Sequence, residues 1–230
     1  MMLSDLQKRT AQAIVNVFET GHVGGDYACV ILLAGDSGGL TYGRSQTTRV
    51  SGNLHKLIDA YCAAPDAACA TRLAPYLPKL AARDKALDSD DVFRACLREA
   101  GADPVMRDVQ DAFFDRLYWA PVSREAARLG LEDALSVATV YDSFIHGSWA
   151  RMRDCTSEAA GTPASCGARE WTQSYLRTRR AWLAGHANRL LHRTVYRMDA
   201  LLALADEGNW RLDQPFTLRG QQITPEKLWP

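Results

Sequence analysis

The sequence predicts a mainly helical α+β fold in two lobes, with a small β-hairpin at a cleft between them. After residue 51, nearly every apolar run has the three- and four-residue spacing of an amphipathic helix. Before it, an apolar strand at 27–34 leads into a glycine-rich turn at 35–39 and a return strand at 40–43. The 230 residues suffice for one domain, 1–230, with both lobes.

The individual helices are predicted from caps, apolar faces and chain breakers. Ser4 and Gln7 match a capping box, and Gly21 ends the helix that they open. Prolines interrupt the helical pattern of 73–80, and the polar segment 154–168 is predicted to be a loop. The remaining helices are expected at 51–61, 89–100, 104–118, 121–129, 132–146, 169–184 and 187–207.

Composition argues against nucleic-acid and membrane functions. With 27 basic and 27 acidic residues the formal net charge is zero, so no overall field attracts polyanions. No apolar stretch approaches the roughly 18 residues of a membrane span, and no signal-peptide core precedes the first helix. We interpret a late basic stripe as solvated helix faces or buried ion pairs rather than a nucleic-acid site. It comprises Arg177, Arg179, Arg180, Arg189, Arg193 and Arg197.

The six cysteines predict two disulfides and no metal site. Cys62 pairs with Cys69, and Cys155 with Cys166, because each pair flanks a short loop; this implies an oxidising compartment. No Cys-x-x-Cys or His-x-x-x-His spacing occurs, so no metal or cofactor is expected. Disulfides without a signal peptide suggest action in the periplasm or extracellular space after cell lysis or contact-dependent secretion, or a trimmed sequence. An immunity or delivery protein is then a candidate partner.

Two carboxylates flank the segment where the first helix ends and the hairpin begins. Glu19 closes the apolar helical run, and Asp36 follows the apolar strand at the turn. A protonated and an ionised carboxyl group facing each other across a groove are what the hydrolysis of a glycosidic bond requires. Phe18 and the strand supply the apolar wall that keeps an acid protonated, while a glycine-rich turn favours an ionised base.

Each of these residues also has a purely structural interpretation. Glu19 alone is typical of an exposed carboxylate at a helix end. Asp36, within Gly-Asp-Ser-Gly-Gly, is typical of an Asx-turn, and Thr41 of an ordinary strand residue.

Two residues of the predicted helix 132–146 have alternatives of the same kind. Asp142 needs a partner if it is buried, so an ion pair with Arg197 or Arg193 explains it as well as a substrate contact does. His146 is typical of a histidine at a helix end whose ring nitrogens are hydrogen-bonded within the protein, rather than of a catalytic histidine.

Four segments, in order along the chain, resemble the signature of the family 46 chitosanases of the lysozyme superfamily. The resemblance runs from about residue 10 to residue 216 and implies a lysozyme-like catalytic domain, with the acid on a helix and a hairpin across the cleft. The segments are Glu19-Thr20-Gly21 with Tyr27 and Gly35-Asp36-x-Gly-Gly-x-Thr41-x-Gly43, then 140–147, Arg197-Met198-Asp199, and 208–215.

This resemblance implies a role for each matching residue. Glu19 corresponds to the general acid and Asp36 to the general base that activates water. Thr41 corresponds to a hydroxyl that positions this water. Arg197 corresponds to an arginine near the acid, and Asp142 to one of its charged supports. Family membership further implies inversion of configuration, for which the carboxyl groups stand roughly 6.5–9.5 Å apart.

The segment after the turn departs from the family pattern and predicts a different substrate. Family chitosanases have an acidic, amine-binding residue where this chain has Asn53, and Arg44 and Arg49 add positive charge. Cationic chitosan would be repelled, whereas an acetamido group can bind Asn53 or Gln46 and a muramyl carboxylate can pair with an arginine. Arg44 and Arg49 could equally be surface residues that face away from the substrate.

The sequence therefore predicts a peptidoglycan muramidase with a polysaccharide partner. The alternative is a chitosanase, and a non-catalytic glycan-binding module is a third hypothesis. Beyond the two carboxylates and Thr41, the predicted site holds residues that contact substrate. These are Tyr42, Arg44, Gln46, Asn53, Asp142, His146 and Arg197.

Overall fold

The computed structural model describes residues 3–32, 38–44 and 46–229. Asp36 lies outside the described residues. The helices are α1 Asp5–Thr20, α2 Asn53–Cys62, α3 Ala70–Leu73, α4 Leu77–Ala81, α5 Asp91–Ala100, α6 Pro104–Phe114, α7 Ala120–Arg128, α8 Ala134–His146, α9 Trp149–Ala160, α10 Pro163–Cys166, α11 Ala168–Ala184, α12 Tyr196–Asp206 and α13 Pro225–Leu228. The strands are β1 Val30–Ile31, β2 Thr41–Tyr42, β3 Thr47–Thr48, β4 Phe216–Leu218 and β5 Gln221–Ile223.

The chain divides into two compact units. The terminal unit contains residues up to Gly24 and from Tyr118 onward, and the inner unit contains Gly25–Leu117. The prediction of a mainly helical fold with a small antiparallel sheet is confirmed. The predicted single domain with a cleft between two lobes stays a prediction.

The terminal unit is built around α8, which packs against α1, α7, α11 and α12. Every residue of α8 from Ala134 to Ser143 is buried. The predicted capping box of α1 is formed: Gln7 N donates to Ser4 Oγ over 3.2 Å, and Ser4 N donates to Gln7 Oε1 over 3.0 Å. Gly21 ends α1 in the left-handed region at φ 77°, which places Glu19 in the last helical turn.

The prediction that 154–168 is a loop is wrong. Most of it belongs to α9 and α10, which are separated at Gly161 with φ 86°. Trp149, Met152 and Thr156 form a buried face of α9, and this helix packs against α11. The Thr156 hydroxyl donates to Met152 O within the helix, so this polar side chain is hydrogen-bonded inside α9.

The predicted helix 187–207 begins only at Tyr196. His186 Nδ1 accepts from Asn188 N over 2.9 Å, and Asn188 Oδ1 accepts from Leu190 N over 3.0 Å. These local side-chain bonds stabilise a non-helical backbone before the helix. The sequence analysis also did not anticipate the hairpin of β4 and β5, whose two-residue turn, Arg219–Gly220, has φ values of 49° and 77°.

The inner unit contains the predicted hairpin, in shorter form and with a third strand. Val30 pairs with Tyr42 in the antiparallel ladder of β1 and β2, and Tyr42 pairs with Thr47 of β3. The beginning of the expected strand 27–34 is not extended, because Ala28 N donates to Asp26 Oδ1 and holds a turn before β1. Residues 33–34 lie outside the described residues. The core of this unit lies between the sheet and α2–α6.

The two predicted disulfides are absent, since all six cysteines are free thiols. Cys62 Sγ donates to Ala70 O over 3.7 Å, and Cys166 Sγ donates to Thr162 O over 3.2 Å. Burial raises the pKa of the Cys62 and Cys69 thiols, which keeps them protonated and slow to oxidise. The inference of an oxidising compartment therefore loses its structural support.

We expect Gly101→Ala to destabilise the protein by about 1–3 kcal/mol. A Cβ at this position would lie 2.4 Å from Ala28 Cα, and the φ of −61° shows that the cost is steric rather than backbone strain. Gly24→Ala is the control, because its Cβ would meet nothing within 4 Å. Urea denaturation of both variants measures the difference; equal midpoints would contradict the close approach of these two segments.

Candidate active site

Glu19 is positioned by the way α1 ends. The left-handed Gly21 turns the chain, and Asn16 Nδ2 donates to Val23 O over 3.1 Å, which fastens the following loop to the helix. The Glu19 side chain is 40% exposed. A carboxylate at the carboxyl end of a helix meets the negative end of the helix dipole, so it needs a compensating cation.

Arg197 supplies this cation and connects Glu19 to Asp142. Its Nη2 lies 2.8 Å from Glu19 Oε1 and 2.6 Å from Asp142 Oδ1, and its Nε donates to Asp142 Oδ1 over 2.9 Å. The guanidinium also lies 5.1 Å from the ring centroid of Phe18. Three helices, α1, α8 and α12, thus meet at one charged group.

The Arg197 ion pair is almost entirely removed from water. The side chains of Arg197 and Asp142 are 2% and 0% exposed. Burial by itself lowers the pKa of Arg197, but the attraction of Asp142 and then of Glu19 outweighs it and raises the pKa above its usual range. Asp142 is therefore an ion-pair partner that substrate cannot reach, and the alternative partner Arg193 lies exposed.

His146, at the end of α8, contacts a second buried arginine, Arg179, which the sequence analysis placed in the basic stripe and not among the site residues. Arg179 of α11 is fully buried, and its Nη2 lies 2.9 Å from His146 Nδ1. Burial lowers the pKa of His146, and the positive charges of Arg197 and Arg179 lower it further. The sequence signal for Arg179 was its place on the apolar face of α11 with Tyr175, Leu176 and Leu183.

In the inner unit, the two strand residues of the predicted site are buried. Thr41 is 9% exposed, and its Oγ1 donates to Gly39 O over 3.3 Å, which leaves the oxygen able to accept from a water. Tyr42 is fully buried in the core, and burial raises its pKa. The prediction that Tyr42 contacts substrate is therefore wrong.

Arg44 faces an internal acid. It pairs with Asp111, and its Nη1 donates to Tyr27 Oη over 3.2 Å. The guanidinium stacks over the rings of Tyr27 and Phe114, and only 9% of the side chain is exposed. The prediction that Arg44 binds a substrate acid is wrong, because its charge is neutralised inside the inner unit.

Arg49 is neutralised in the same way. Its Nε and Nη2 donate to the two carboxylate oxygens of Asp88 over 2.7 and 2.8 Å. This pair supports the segment that follows the predicted base: Leu40 N donates to Asp88 Oδ1, and Arg49 N donates to Leu40 O. A Cβ on Gly39 would lie 2.6 Å from Arg49 Nη2, so glycine permits the close approach.

The remaining candidates are more accessible. Gln46 is exposed, with a left-handed φ of 48°, and Asn53 is a half-buried residue at the start of α2. The roles predicted for these residues stay predictions, as does that of Asp36. In the described part of the terminal unit, the site brings together Glu19, Asp142, His146 and Arg197.

The basic stripe does not form one surface, because Arg179 and Arg197 are buried and Arg180 pairs with Asp199. No group of three or more metal-ligating side chains occurs among the residues that the structure describes. Within the same residues, no helix has the length and hydrophobicity needed to cross a membrane.

Comparison with known proteins gives consistent matches over nearly the whole chain. The sequence pattern of glycosyl hydrolase family 46 matches residues 13–216. The chain is 28% identical over 234 residues to a chitosanase of Bacillus subtilis (strain 168), covering 94% of this chain and 83% of the relative.

Two solved structures resemble the fold described above. A family 46 chitosanase of Gynuella sunshinyii in complex with chitotetraose has a TM-score of 0.78 and 27% identity, covering 96% of this chain and 98% of its own. A mutant chitosanase of Bacillus subtilis MY002 complexed with 6 GlcN has a TM-score of 0.76 and 27% identity, covering 94% and 95%.

We expect Arg49→Gln to destabilise the protein by about 3–5 kcal/mol, because it leaves the Asp88 carboxylate buried without a cation. Arg49 lowers the pKa of Asp88 in the folded protein below the ordinary value of about 3.8. The ion pair therefore contributes fully to the free energy of unfolding above that pH, and the contribution is lost as the pH falls through the lowered pKa of the folded state. Denaturation of variant and parent should therefore converge at acidic pH.

The control is Arg72→Gln, whose exposed partner Glu99 keeps its hydration. An Arg49→Gln variant as stable as this control would show that the Asp88 pair does not support the segment after the turn.

Proposed function

The chain belongs to glycosyl hydrolase family 46, and we propose that it is a chitosanase that hydrolyses the β-1,4 bonds of glucosamine polymers. It is a glycoside hydrolase. Its matched relatives are named chitosanases, and one of them holds chitotetraose. Within the chain, the observation that supports this substrate is the internal neutralisation of Arg44 and Arg49 by Asp111 and Asp88.

The prediction of a peptidoglycan muramidase is wrong. It rested on two arginines that would repel a cationic polymer and attract a muramyl carboxylate. Asp111 and Asp88 engage the two guanidiniums, and the relatives act on or bind glucosamine polymers according to their names. Without the arginines, the neutral Asn53 alone gives no reason to prefer an acidic glycan. The expectation of action in the periplasm or extracellular space stays a prediction.

We assign Glu19 as the general acid that protonates the leaving glycosidic oxygen. Its side chain is partly exposed, and among the described residues only Oε1 is engaged, so Oε2 is available to carry a proton to substrate. Phe18 is buried beside it and limits hydration on one side. A positioned acid of this kind contributes roughly 10²- to 10⁴-fold to the rate.

The Arg197–Asp142 pair fixes the orientation of this acid. Arg197 Nη2 lies 2.8 Å from Glu19 Oε1. Asp142 accepts from both the Nε and the Nη2 of the same guanidinium, so the pair as a whole is neutral. Arg197 therefore holds one oxygen of Glu19, and the other oxygen stays available for proton transfer to the leaving group.

We assign Asp36 as the general base on the sequence pattern, with Thr41 as a second ligand of the attacking water. The Thr41 hydroxyl donates to Gly39 O and can accept a hydrogen bond from that water. The buried Arg49–Asp88 pair holds the backbone of Leu40, directly before Thr41. Displacement by water assisted by a second carboxylate gives inversion of configuration.

The purified protein should release reducing ends from chitosan and should not reduce the turbidity of bacterial cell walls. Glu19→Gln and Asp36→Asn should each lower the rate on chitosan by about 10²- to 10⁴-fold, because each removes one proton-transfer group. Glu207→Gln, at an exposed position just after α12, is the matched control and should retain full activity. A parent protein inactive on chitosan would contradict the proposed function.

Asp142→Asn should destabilise the protein and lower its rate on chitosan, because the buried Arg197 guanidinium then keeps only Glu19 as a carboxylate partner. Asp199→Asn, which removes an exposed carboxylate near the start of α12, should leave both properties close to those of the parent. Urea denaturation and the chitosan assay measure the two effects. An Asp142→Asn variant as stable and as active as the parent would contradict the role of Asp142 in holding Arg197.

A further inference from the structure

Arg179 contacts His146 in a way that determines where the imidazole proton lies. The Arg179 Nη2 atom is 2.9 Å from His146 Nδ1. A guanidinium can only donate hydrogen bonds, so Nδ1 must accept and cannot carry a proton. The neutral ring then carries its proton on Nε2, and a doubly protonated ring would lose the contact and face the guanidinium with a positive charge.

The buried position of Arg179 makes this contact important. Its side chain is fully buried in α11. Its Nη2 contacts His146 Nδ1, and Tyr175, one turn earlier on α11, lies beside the same guanidinium. Loss of a hydrogen-bond acceptor by a buried cation is costly, so the contact favours the form of His146 that can accept.

The charges around His146 are balanced only when the ring is neutral. The groups that face it are Arg179 from α11, Arg197 from α12, Asp142 from α8 and Glu19 from α1. Two guanidiniums and two carboxylates cancel, so an imidazolium would add an uncompensated charge. Burial lowers the pKa of His146 most, the two arginines lower it further, and the two carboxylates oppose this shift.

We propose that Arg179 is a positioning residue that holds His146 as an uncharged ring protonated at Nε2, so that the site offers a polycationic glycan a neutral donor. The role toward substrate rests on the proposed chitosanase function, whereas the protonation state does not. His146 is partly exposed, and its Nε2 lies on the side of the ring away from the buried guanidinium.

A neutral ring matters because of the substrate. Glucosamine polymers are cationic in weakly acidic solution, which is where an ordinary histidine would itself become charged. An imidazolium next to Glu19 and Arg197 would repel the ammonium groups of the incoming chain. A neutral Nε2–H can instead donate to a sugar hydroxyl or ring oxygen.

The first experiment measures the tautomer in the unmodified protein. Two-bond ¹H–¹⁵N spectra of ¹⁵N-histidine-labelled protein should show the His146 resonances of the Nε2-protonated neutral ring from about pH 7 to about pH 5. His146→Gln assigns the signals. A ring protonated at Nδ1, or one that titrates like a free histidine, would overturn the proposal without bearing on the choice of substrate.

The second experiment compares Arg179→Met with Arg179→Lys and with Arg180→Met. Arg180 is the adjacent residue, exposed and paired with Asp199, and serves as the control. In Arg179→Met the pKa of His146 should rise, because one lowering charge is removed, yet burial should keep it below its ordinary value. Both tautomers should then appear, while Arg179→Lys should restore the Nε2 form through its single ammonium.

The same three variants are assayed on chitosan as a function of pH. For Arg179→Met the loss in kcat/KM relative to the parent should be larger at pH 5 than at pH 7, because removal of the Arg179 charge raises the pKa of His146 and lets the ring take up a second proton more readily. A loss that does not vary with pH, with folding and tautomer intact, would overturn the role toward substrate. Inactivity of the parent on chitosan would instead refute the proposed function and leave the tautomer result standing.

Discussion

The guanidinium of Arg197 constrains the terminal unit more than any other group at the candidate site. A cation that is 2% exposed is stable only if carboxylates surround it, and the two that do so come from different helices. The ends of α1 and α8 must therefore lie where they meet α12. This requirement fixes the position of Glu19, because its Oε1 is one of the two carboxylate partners of the guanidinium.

The inner unit also contains buried arginine–aspartate ion pairs that fix a local conformation. Arg49 and Asp88 form a two-point pair beneath the backbone at Leu40, and Arg44 is held by Asp111 and two aromatic rings. Buried ion pairs of this kind confer little net stability, but removing one partner is costly, so they fix a local conformation. In this protein they hold the strand that carries Thr41, and they also remove two positive charges from the surface.

Most helices followed from local signals that the tertiary structure did not alter. The capping box at Ser4 and the glycine stop at Gly21 placed α1 and hence Glu19. Where the prediction failed, contacts distant in sequence decided. The segment 154–168 is helical because α11 covers the face formed by Trp149 and Met152, which no property of its polar residues indicates.

The sequence by itself determined the helical architecture, the small sheet and the family, because caps, periodicity and motif order are local in the chain. Only the tertiary structure decided which charges face the substrate. The sequence contains Arg44 and Arg49 as two cations, but whether a cation acts on a ligand depends on its nearest carboxylate in space. Asp111 and Asp88 lie 67 and 39 residues away along the chain, and they reverse the inference about substrate.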